Sequence, residues 1–350
     1  MTGPLPLPPV HPRPGLPARV RIWEVGPRDG LQHERTVLPT GTKAELVARL
    51  VDAGLRTVEA TSFVRPSWVP QLADAEALVE AIGHRAGVRF PVLVPNLAGL
   101  ERALACGAGD VCVLASATET FARRNLDRSL GEALEMCSPV VREARANGLG
   151  VRGYVSMCFG DPWEGAVDPG QVVGVCERLY EMGCDEVSLG DTIGVATTGQ
   201  VADLLGDLGD AGIGPERLAA HFHDTYGQAL ANALVALEHG VTTLDSSAGG
   251  LGGCPFAESA TGNLATEDLC WALAGLGIET GVDLGRLVAT SVWIARRLGR
   301  PSPSRVVQAL AAGDPGTRAG PATSSRSSTS AAPAAPAAPG GPRPATEERK

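Results

Sequence analysis

The sequence lacks the long hydrophobic segment that a membrane-spanning helix requires. Its 350 residues contain no apolar run long enough to cross a bilayer, and the mean hydropathy is only +0.05. Residues 1–19 are rich in proline and contain no apolar stretch of the kind found in secretory signals. We therefore expect no membrane partner and a cytoplasmic location.

Lysine is almost absent, occurring only at Lys43 and Lys350, although arginine is common. The chain has 30 basic and 39 acidic residues, which give it a formal net charge of -9. A protein that binds nucleic acid needs a basic surface to meet the phosphate backbone. The composition therefore argues against a nucleic-acid partner.

Cysteine is present, but it lacks the close pairing typical of redox and zinc motifs. None of the eight cysteines forms a C-x-x-C pair. In a chain of this length we expect most of them to be buried, unreactive thiols in a reducing compartment. Seven fall within predicted helices or strands or close to their ends, whereas Cys254 lies in a glycine-rich loop.

The two ends of the chain differ in composition from its middle. Residues 1–19 are proline-rich and are expected to be extended or disordered. Residues 313–350 contain no leucine, isoleucine, valine or aromatic residue, so they cannot bury enough surface to offset the entropy of ordering. We expect one folded domain over residues 20–312, between a disordered N-terminus and a disordered low-complexity tail.

The middle of the chain alternates short β-branched or apolar runs with longer helical stretches, which predicts an α/β fold. Eight such units favour a (β/α)8 TIM barrel, and two more helical patterns, Leu284–Leu298 and Ser304–Ala311, predict extra C-terminal helices. The eight predicted strands are Val20–Val25, Thr57–Ala60, Arg89–Val94, Asp110–Ala115, Val151–Met157, Glu186–Leu189, Leu218–Phe222 and Thr242–Asp245.

Polar residues concentrate where these strands end, which is where TIM barrels place their active sites. His221 and His223 are two residues apart on a predicted strand, so both side chains face the same side. Asp29, after the first strand, could supply an oxygen ligand, and Asn263 could supply an amide oxygen. This set suits Mg or Mn without excluding Zn or Co. The alternative is a core histidine and an aspartate that caps a turn.

Three further charged residues at strand ends have more than one interpretation. Arg28 could form a simple ion pair with Asp29 or could polarise a carbonyl next to a metal. Glu59 and Asp191 could bind substrate, orient Arg28 or satisfy backbone groups of the barrel, and we favour the structural role.

Cys254 follows a run of glycines, and such a loop can close over a ligand. A thiol with an ordinary pKa of about 8.5 is protonated at neutral pH and can act as a general acid. The alternative is a loop cysteine without a catalytic role.

Several of these segments resemble hydroxymethylglutaryl-CoA lyase, in order from about Ile22 to Val307. The matching motifs are Val25-Gly-Pro-Arg-Asp-Gly-Leu-Gln32, Glu59-Ala-Thr-Ser-Phe-Val64, Trp68-Val-Pro-Gln71, Ser188-Leu-Gly-Asp-Thr-Ile-Gly194, His223-Asp-Thr-Tyr-Gly-Gln228, Gly250-Leu-Gly-Gly-Cys-Pro255 and Gly262-Asn-Leu-Ala-Thr-Glu-Asp268.

The resemblance implies a TIM-barrel metallolyase that cleaves 3-hydroxy-3-methylglutaryl-CoA to acetoacetate and acetyl-CoA. It implies Mg or Mn held by Asp29, His221, His223 and Asn263, with Arg28 on the carbonyl that becomes an enolate and Cys254 as the catalytic thiol. The proton acceptor is His221 or Asp29. The supporting or substrate-binding residues that it implies are Gln32, Glu59, Asp191 and Glu267, with Arg123 and Arg124 as candidates for the CoA phosphates.

The resemblance also implies a CoA-thioester substrate, a homodimer and a place in leucine degradation. Two related activities stay open at this point: cleavage of another 3-hydroxy-acyl-CoA, and the reverse chemistry of a Claisen-type synthase acting on 2-oxo acids. The synthases have a shorter glycine-rich loop and a long regulatory domain. The motif Gly252-Gly-Cys-Pro255 and the low-complexity tail therefore favour the lyase.

Overall fold

The structure is a computed structural model that describes residues 7–254 and 257–311; the side chains of residues 254 and 257–261 lie outside that description. The expected disorder of residues 1–6 and 313–350 falls outside the described residues and stays a prediction. Within the described part of the chain, none of the helices has the length and apolar character needed to span a bilayer.

Nine parallel strand segments form one sheet in which neighbours along the chain are neighbours in space, with β1 lying between β2 and β9. The segments are β1 (Arg21–Glu24), β2 (Thr57–Val58), β3 (Thr61–Ser62), β4 (Val92–Leu93), β5 (Asp110–Ser116), β6 (Gly150–Ser156), β7 (Glu186–Asp191), β8 (Leu218–Phe222) and β9 (Thr243–Ser246).

The sheet closes on itself through β2 and β3, which form one interrupted strand. β2 pairs with β1, whereas β3 pairs with β4. Between them, the Glu59 amide donates to the Glu24 carbonyl at 2.9 Å, and the Ala60 amide donates to the Pro91 carbonyl at 2.9 Å. A sheet whose two edges meet in this way is an eight-position barrel, as the sequence predicted.

Helices surround the barrel, and the two C-terminal helices lie where the sequence predicted them. The helices are α1 (Thr40–Asp52), α2 (Ala75–Ile82), α3 (Leu97–Ala105), α4 (Glu119–Leu126), α5 (Leu130–Ala146), α6 (Pro169–Met182), α7 (Thr198–Asp210), α8 (Ala229–Glu238), α9 (Thr266–Gly275), α10 (Leu284–Leu298) and α11 (Arg305–Ala311). The sequence did not predict α4. It is short and strongly polar, and Ala122 is its one buried residue, so the apolar periodicity that identifies a helix is missing.

The helices bury one apolar face each against the outside of the barrel. In α1, Leu46 and Leu50 are fully buried and Val47 nearly so, which is the spacing of one helical face. Burying a leucine or valine side chain contributes roughly 1.5–3 kcal/mol each. This apolar layer between helices and strands holds the barrel rigid and so fixes where the strand ends lie.

Residues 7–19 lie against the barrel without forming a helix, and they turn once at Pro14 and Gly15. The His11 amide donates to the Gly275 carbonyl at 2.8 Å, and the Glu279 amide donates to the Ala18 carbonyl at 2.9 Å. Proline fixes the backbone angle φ and favours extended chain and turns, which fits this course. The N-terminal segment thus contacts the barrel from Pro8 onward, where Pro8 lies against Gly275.

The amino-terminal mouth of the barrel is filled by aromatic and charged side chains. The guanidinium of Arg152 lies 4.0 Å from the ring centre of Trp23, and that of Arg89 lies 5.5 Å from it. Arg21 and Glu186 form an ion pair beside them. These residues line a small cavity of about 210 Å³. In the described part of the chain, it shares no lining residue with the larger cavity at the other end.

Candidate active site

A single turn of π-helix, Gly26–Gly30, follows β1 and carries Arg28 and Asp29, both of which are buried. The turn is tight enough to need glycine, because a side-chain carbon at Gly26 would lie 2.5 Å from Glu24 Oε1. At Gly30 it would lie 2.8 Å from the Leu251 side chain. Local packing therefore aims both charged side chains into the carboxyl-terminal mouth of the barrel.

Three candidate metal ligands meet at this mouth. Potential ligand atoms of Asp29, His221 and His223 all lie within 4.8 Å of one another. His221 is in β8. His223 lies just after this strand, and its backbone pairs with that of Asn263 in an isolated antiparallel β-bridge. The alternation of side chains along a strand brings both imidazoles to one face, as predicted.

Unpaired atoms at this cluster fit a bound cation. Among the described residues, His223 Nδ1 and Asn263 Oδ1 are buried and have no hydrogen-bond partner. Buried polar atoms are normally paired, so these two are free to bind a ligand. Burial and the neighbouring His221 lower the pKa of His223 to about 3, and the resulting neutral imidazole is the form that binds metals.

Asp29 is fixed from both sides in this cluster. Its Oδ1 accepts a hydrogen bond from Arg28 Nη1 at 2.6 Å, and its Oδ2 accepts one from Asn263 Nδ2 at 2.8 Å. Burial alone would raise the pKa of Asp29, but Arg28 and the histidines outweigh it and hold that pKa well below its usual range. Asp29 is therefore a carboxylate, and two nitrogens with a carboxylate and an amide oxygen suit a divalent cation.

Glu59 orients Arg28. Arg28 Nε donates to Glu59 Oε1 at 2.5 Å, and Glu59 Oε2 accepts from Tyr154 Oη at 2.5 Å and from Trp23 Nε1 at 2.9 Å. Glu59 is fully buried and does not line the cavity. Of the three interpretations, the structure favours orientation of Arg28 over substrate binding.

Asp191 accepts hydrogen bonds from backbone amides and is not among the described residues that line the cavity. Its carboxylate accepts from the amides of Val195 at 2.9 Å and Ala196 at 3.2 Å, in the loop before α7. Burial raises the pKa of Asp191 to about 7. This geometry matches the structural role that we favoured for Asp191.

Glu267 lies behind the glycine-rich loop. Its Oε2 accepts from the Gly249 amide at 2.8 Å, and its Oε1 accepts from the Ser291 hydroxyl. Burial raises the pKa of Glu267 to about 8. The position of Glu267 beside the loop agrees with a supporting role there.

The mouth opens into a cavity of about 690 Å³ that exposes the cluster to solvent. Arg28, Gln32 and Arg124 line it, and the Arg124 guanidinium lies 4.5 Å from the ring centre of Trp163. Arg123 does not line it; this side chain is largely exposed and pairs with Glu119 at 2.6 Å. Of the two arginines proposed for phosphate binding, the structure therefore brings only Arg124 to the cavity.

Cys254 ends the first strand of a two-stranded antiparallel hairpin, β10 (Gly253–Cys254) and β11 (Ala257–Thr261). The side chain of Cys254 lies outside the described residues. The segment that leads to Cys254 approaches the cluster, because a side-chain carbon at Gly252 would lie 2.9 Å from Asn263 Nδ2.

Three residues for which no role was predicted, Asp245, Arg152 and Tyr154, support the cluster. Asp245 Oδ2 lies 3.2 Å from His221 Nδ1, and Asp245 Oδ1 accepts from Arg152 Nη2 at 2.6 Å. These contacts outweigh burial, which acts in the opposite direction in each case, so the pKa of His221 is raised and that of Asp245 is lowered. The sequence signal for these residues is the alternation of polar side chains at positions 152, 154 and 156, which indicates that one face of β6 points into the barrel.

Fold and site together define a TIM-barrel protein with a candidate divalent-metal centre at the carboxyl ends of its strands. A family model described as HMGL-like matches residues 19–294. The chain belongs to the HMGL-like family. This confirms the family that the motifs predicted.

Curated relatives cover most of the chain. A 3-hydroxy-3-methylglutaryl-CoA lyase of Danio rerio, named cytoplasmic, is 51% identical over 297 residues, which are 85% of this chain and 88% of the relative. A hydroxymethylglutaryl-CoA lyase of Arabidopsis thaliana, named mitochondrial, is 51% identical over 296 residues; these are 85% of this chain but 63% of that relative's length. A carbon–carbon lyase, the predicted class of enzyme, is confirmed.

Solved structures agree. A hydroxymethylglutaryl-CoA lyase from Pseudomonas aeruginosa has a TM-score of 0.83 at 48% identity and covers 85% of this chain and 99% of its own. An HMG-CoA lyase from Acinetobacter baumannii, in complex with coenzyme A and 3-methylmalate, has a TM-score of 0.79 at 34% identity, covering 87% and 98%. The predicted α/β barrel with C-terminal helices is confirmed.

The buried pair of Arg152 and Asp245 gives a test of the support beneath the cluster. We expect Asp245→Asn to lower the free energy of unfolding by up to roughly 3–5 kcal/mol, because it removes the nearer of the two carboxylates that pair with the buried Arg152 guanidinium and leaves only Glu186, at 3.3 Å. Urea denaturation measures this. The matched control is Asp52→Asn, which removes an exposed pair with Arg85 at 3.8 Å and should cost less than about 1 kcal/mol. Equal losses in the two variants would contradict the role of the pair.

Proposed function

We propose that this protein is a divalent-metal-dependent hydroxymethylglutaryl-CoA lyase that cleaves 3-hydroxy-3-methylglutaryl-CoA to acetoacetate and acetyl-CoA. The observation that carries the proposal is the convergence of Arg28 and the cluster of Asp29, His221 and His223 on one cavity. A metal centre and a fixed cation beside it are what the cleavage of a 3-hydroxy thioester requires. The names and identities of the relatives support the same substrate.

Asp29, His221, His223 and Asn263 would hold the metal, and Mg or Mn suits this donor set. When bound, such a cation lowers the pKa of a hydroxyl group that it contacts and fixes the substrate's orientation. Asp29 and His221 are the two groups of the cluster that can accept the proton of the C3 hydroxyl.

Arg28 would stabilise the negative charge that forms during cleavage. As the C3 oxygen gives up its proton and becomes a ketone, the electron pair of the C2–C3 bond moves into the thioester and produces an enolate of acetyl-CoA. The Arg28 guanidinium is held by Glu59 and Asp29, so it needs no reorganisation to bind that oxygen. Its burial reduces screening by solvent and so strengthens the interaction.

Cys254 would complete the reaction by donating its thiol proton to C2 of the enolate. The sequence places this thiol two residues after Gly252, whose backbone lies against Asn263 in the cluster. An ordinary thiol pKa of about 8.5 makes it a proton donor at neutral pH. The thiolate that results then recovers a proton from solvent.

The proposed location is the cytoplasm, and the proposed place in metabolism is leucine degradation, as the family resemblance implies. Relatives are named both cytoplasmic and mitochondrial. A homodimer stays a prediction from the same resemblance.

An assay of acetoacetate release from 3-hydroxy-3-methylglutaryl-CoA tests the function. We expect turnover that EDTA abolishes and that Mg or Mn restores, because the cluster cannot position the substrate oxygens without a cation. Other 3-hydroxy-acyl-CoA esters serve as controls, together with a 2-oxo acid plus acetyl-CoA for the synthase reaction. Faster turnover of one of those substrates would replace the proposal, and full activity after exhaustive chelation would refute the metal's role.

Replacement of the loop thiol tests the proton donor. We expect Cys254→Ala to reduce kcat at least ~10²-fold, the usual size of a lost acid–base group, with metal affinity unchanged. The matched control is Cys106→Ala, since Cys106 is partly exposed at the end of α3 and does not line the cavity. An unchanged kcat in Cys254→Ala would show that the thiol has no role in turnover.

The two neighbouring arginines of α4 give a test of CoA binding. We expect Arg124→Ala to raise KM about tenfold, the equivalent of one lost charge-assisted hydrogen bond, with little change in kcat. Arg123→Ala removes an exposed ion pair and should change KM less than about twofold. Steady-state kinetics with the CoA ester measures both, and an equal effect of the two variants would place the phosphates elsewhere.

A further inference from the structure

Glu24, the last residue of β1, is fully buried and belongs to none of the site residues considered so far. We propose that Glu24 is a positioning residue that locks the turn of Arg28 and Asp29 to the glycine-rich segment 248–252 that leads to Cys254. Its importance for turnover rests on the proposed function, but its effect on the two segments can be measured without substrate.

The Glu24 carboxylate accepts three hydrogen bonds from three different parts of the mouth. Its Oε1 accepts from the Gly26 amide at 2.9 Å, at the start of the π-helical turn, and from the Ala248 amide at 2.8 Å, at the start of segment 248–252. Its Oε2 accepts from the Thr266 hydroxyl at 2.7 Å, just after the stretch that carries Asn263. One side chain therefore connects three segments: the turn that carries Asp29, segment 248–252 that leads to Cys254, and the start of α9 that follows Asn263.

The two amides that share Oε1 depend on it. Each belongs to a tight turn that follows a strand, and Glu24 is the acceptor that the described residues offer to Gly26 and to Ala248. Removing the carboxylate would leave two buried amides unsatisfied, which a folded chain relieves by moving the turns. A shift of either turn would displace the other as well, because Gly30 packs directly on Leu251.

Neighbouring Glu267 provides an internal comparison. It also binds segment 248–252, through the Gly249 amide at 2.8 Å, but its second partner is Ser291 on α10 and not the turn of Asp29. Loss of Glu267 should therefore disturb the segment directly and the metal cluster only through the contact of Leu251 with Gly30, whereas loss of Glu24 should disturb both directly.

Glutamine should replace Glu24 without loss of the hydrogen bonds that connect the two segments. Burial raises the pKa of Glu24 to about 7, so the site already tolerates a neutral group. In Glu24→Gln the amide oxygen can accept from both backbone amides. The new amino group can donate to the Thr266 hydroxyl, which can in turn donate to the Ser246 hydroxyl 2.9 Å away.

The experiment measures Mn²⁺ affinity by titration and hydrogen exchange of the peptide that covers 247–252, on the full chain without substrate. We expect Glu24→Ala to weaken Mn²⁺ binding about tenfold or more, the usual effect of losing a residue that orients metal ligands, and to accelerate exchange in 247–252. Glu24→Gln should restore both. Glu267→Ala should accelerate exchange but leave Mn²⁺ affinity within about twofold of the unaltered chain.

Other outcomes would overturn the proposal. These are unaltered Mn²⁺ affinity in Glu24→Ala, an equal loss of affinity in Glu267→Ala, or a failure of Glu24→Gln to restore affinity and exchange. If Glu24→Ala does not fold, Glu24→Asp, one methylene shorter, supplies the same comparison. A chain that binds Mn²⁺ and responds as expected but does not release acetoacetate would refute the proposed function and leave the role of Glu24 intact.

Discussion

Closure of the barrel between β1 and β9 is the constraint on which the site depends. The parallel pairing of Arg21–Glu24 with Thr243–Ser246 joins the first and the last strand of the chain, and β9 in turn pairs with β8. Because all strands are parallel, their carboxyl ends must then meet at one mouth. Arg28, His221 and Asn263 become neighbours through this closure, although long stretches of chain separate them.

Inside the closed barrel, buried polar groups form a nearly continuous chain from one side of the metal cluster to the other. It runs through Asn263, Asp29, Arg28, Glu59, Tyr154, Arg152, Asp245 and His221. Burying so many charges is costly unless each has a partner, and here positive and negative groups alternate. The arrangement sets the protonation states at the mouth, with a depressed pKa for Asp29 and a raised one for His221.

Much of this architecture could be predicted from sequence. The regular alternation of apolar strands and amphipathic helices predicted the barrel. The two-residue spacing of His221 and His223 predicted that both side chains lie on one face of a strand. The placement of Asp29 after the first strand predicted its approach to them. These inferences rest on local periodicity and on the convergence of strand ends, which a sequence records directly.

The remaining features depend on packing across the barrel, which local patterns do not encode. Nothing near Asp245 in the sequence indicates that its partner is Arg152, because the pair forms through the barrel interior. Local sequence also does not indicate that Asp191 accepts hydrogen bonds from backbone amides. Nor does it indicate that α4 exposes Arg123 to solvent while Arg124 faces the cavity. Helix α4 has too few buried residues to show an apolar stripe.

The plug of Trp23, Arg89 and Arg152 at the amino-terminal mouth has a consequence for molecular traffic. A barrel sealed there is a well and not a tunnel, so whatever binds at its base arrives and departs through the same opening. A molecule split at the carboxyl-terminal mouth therefore releases both of its fragments on that side of the barrel.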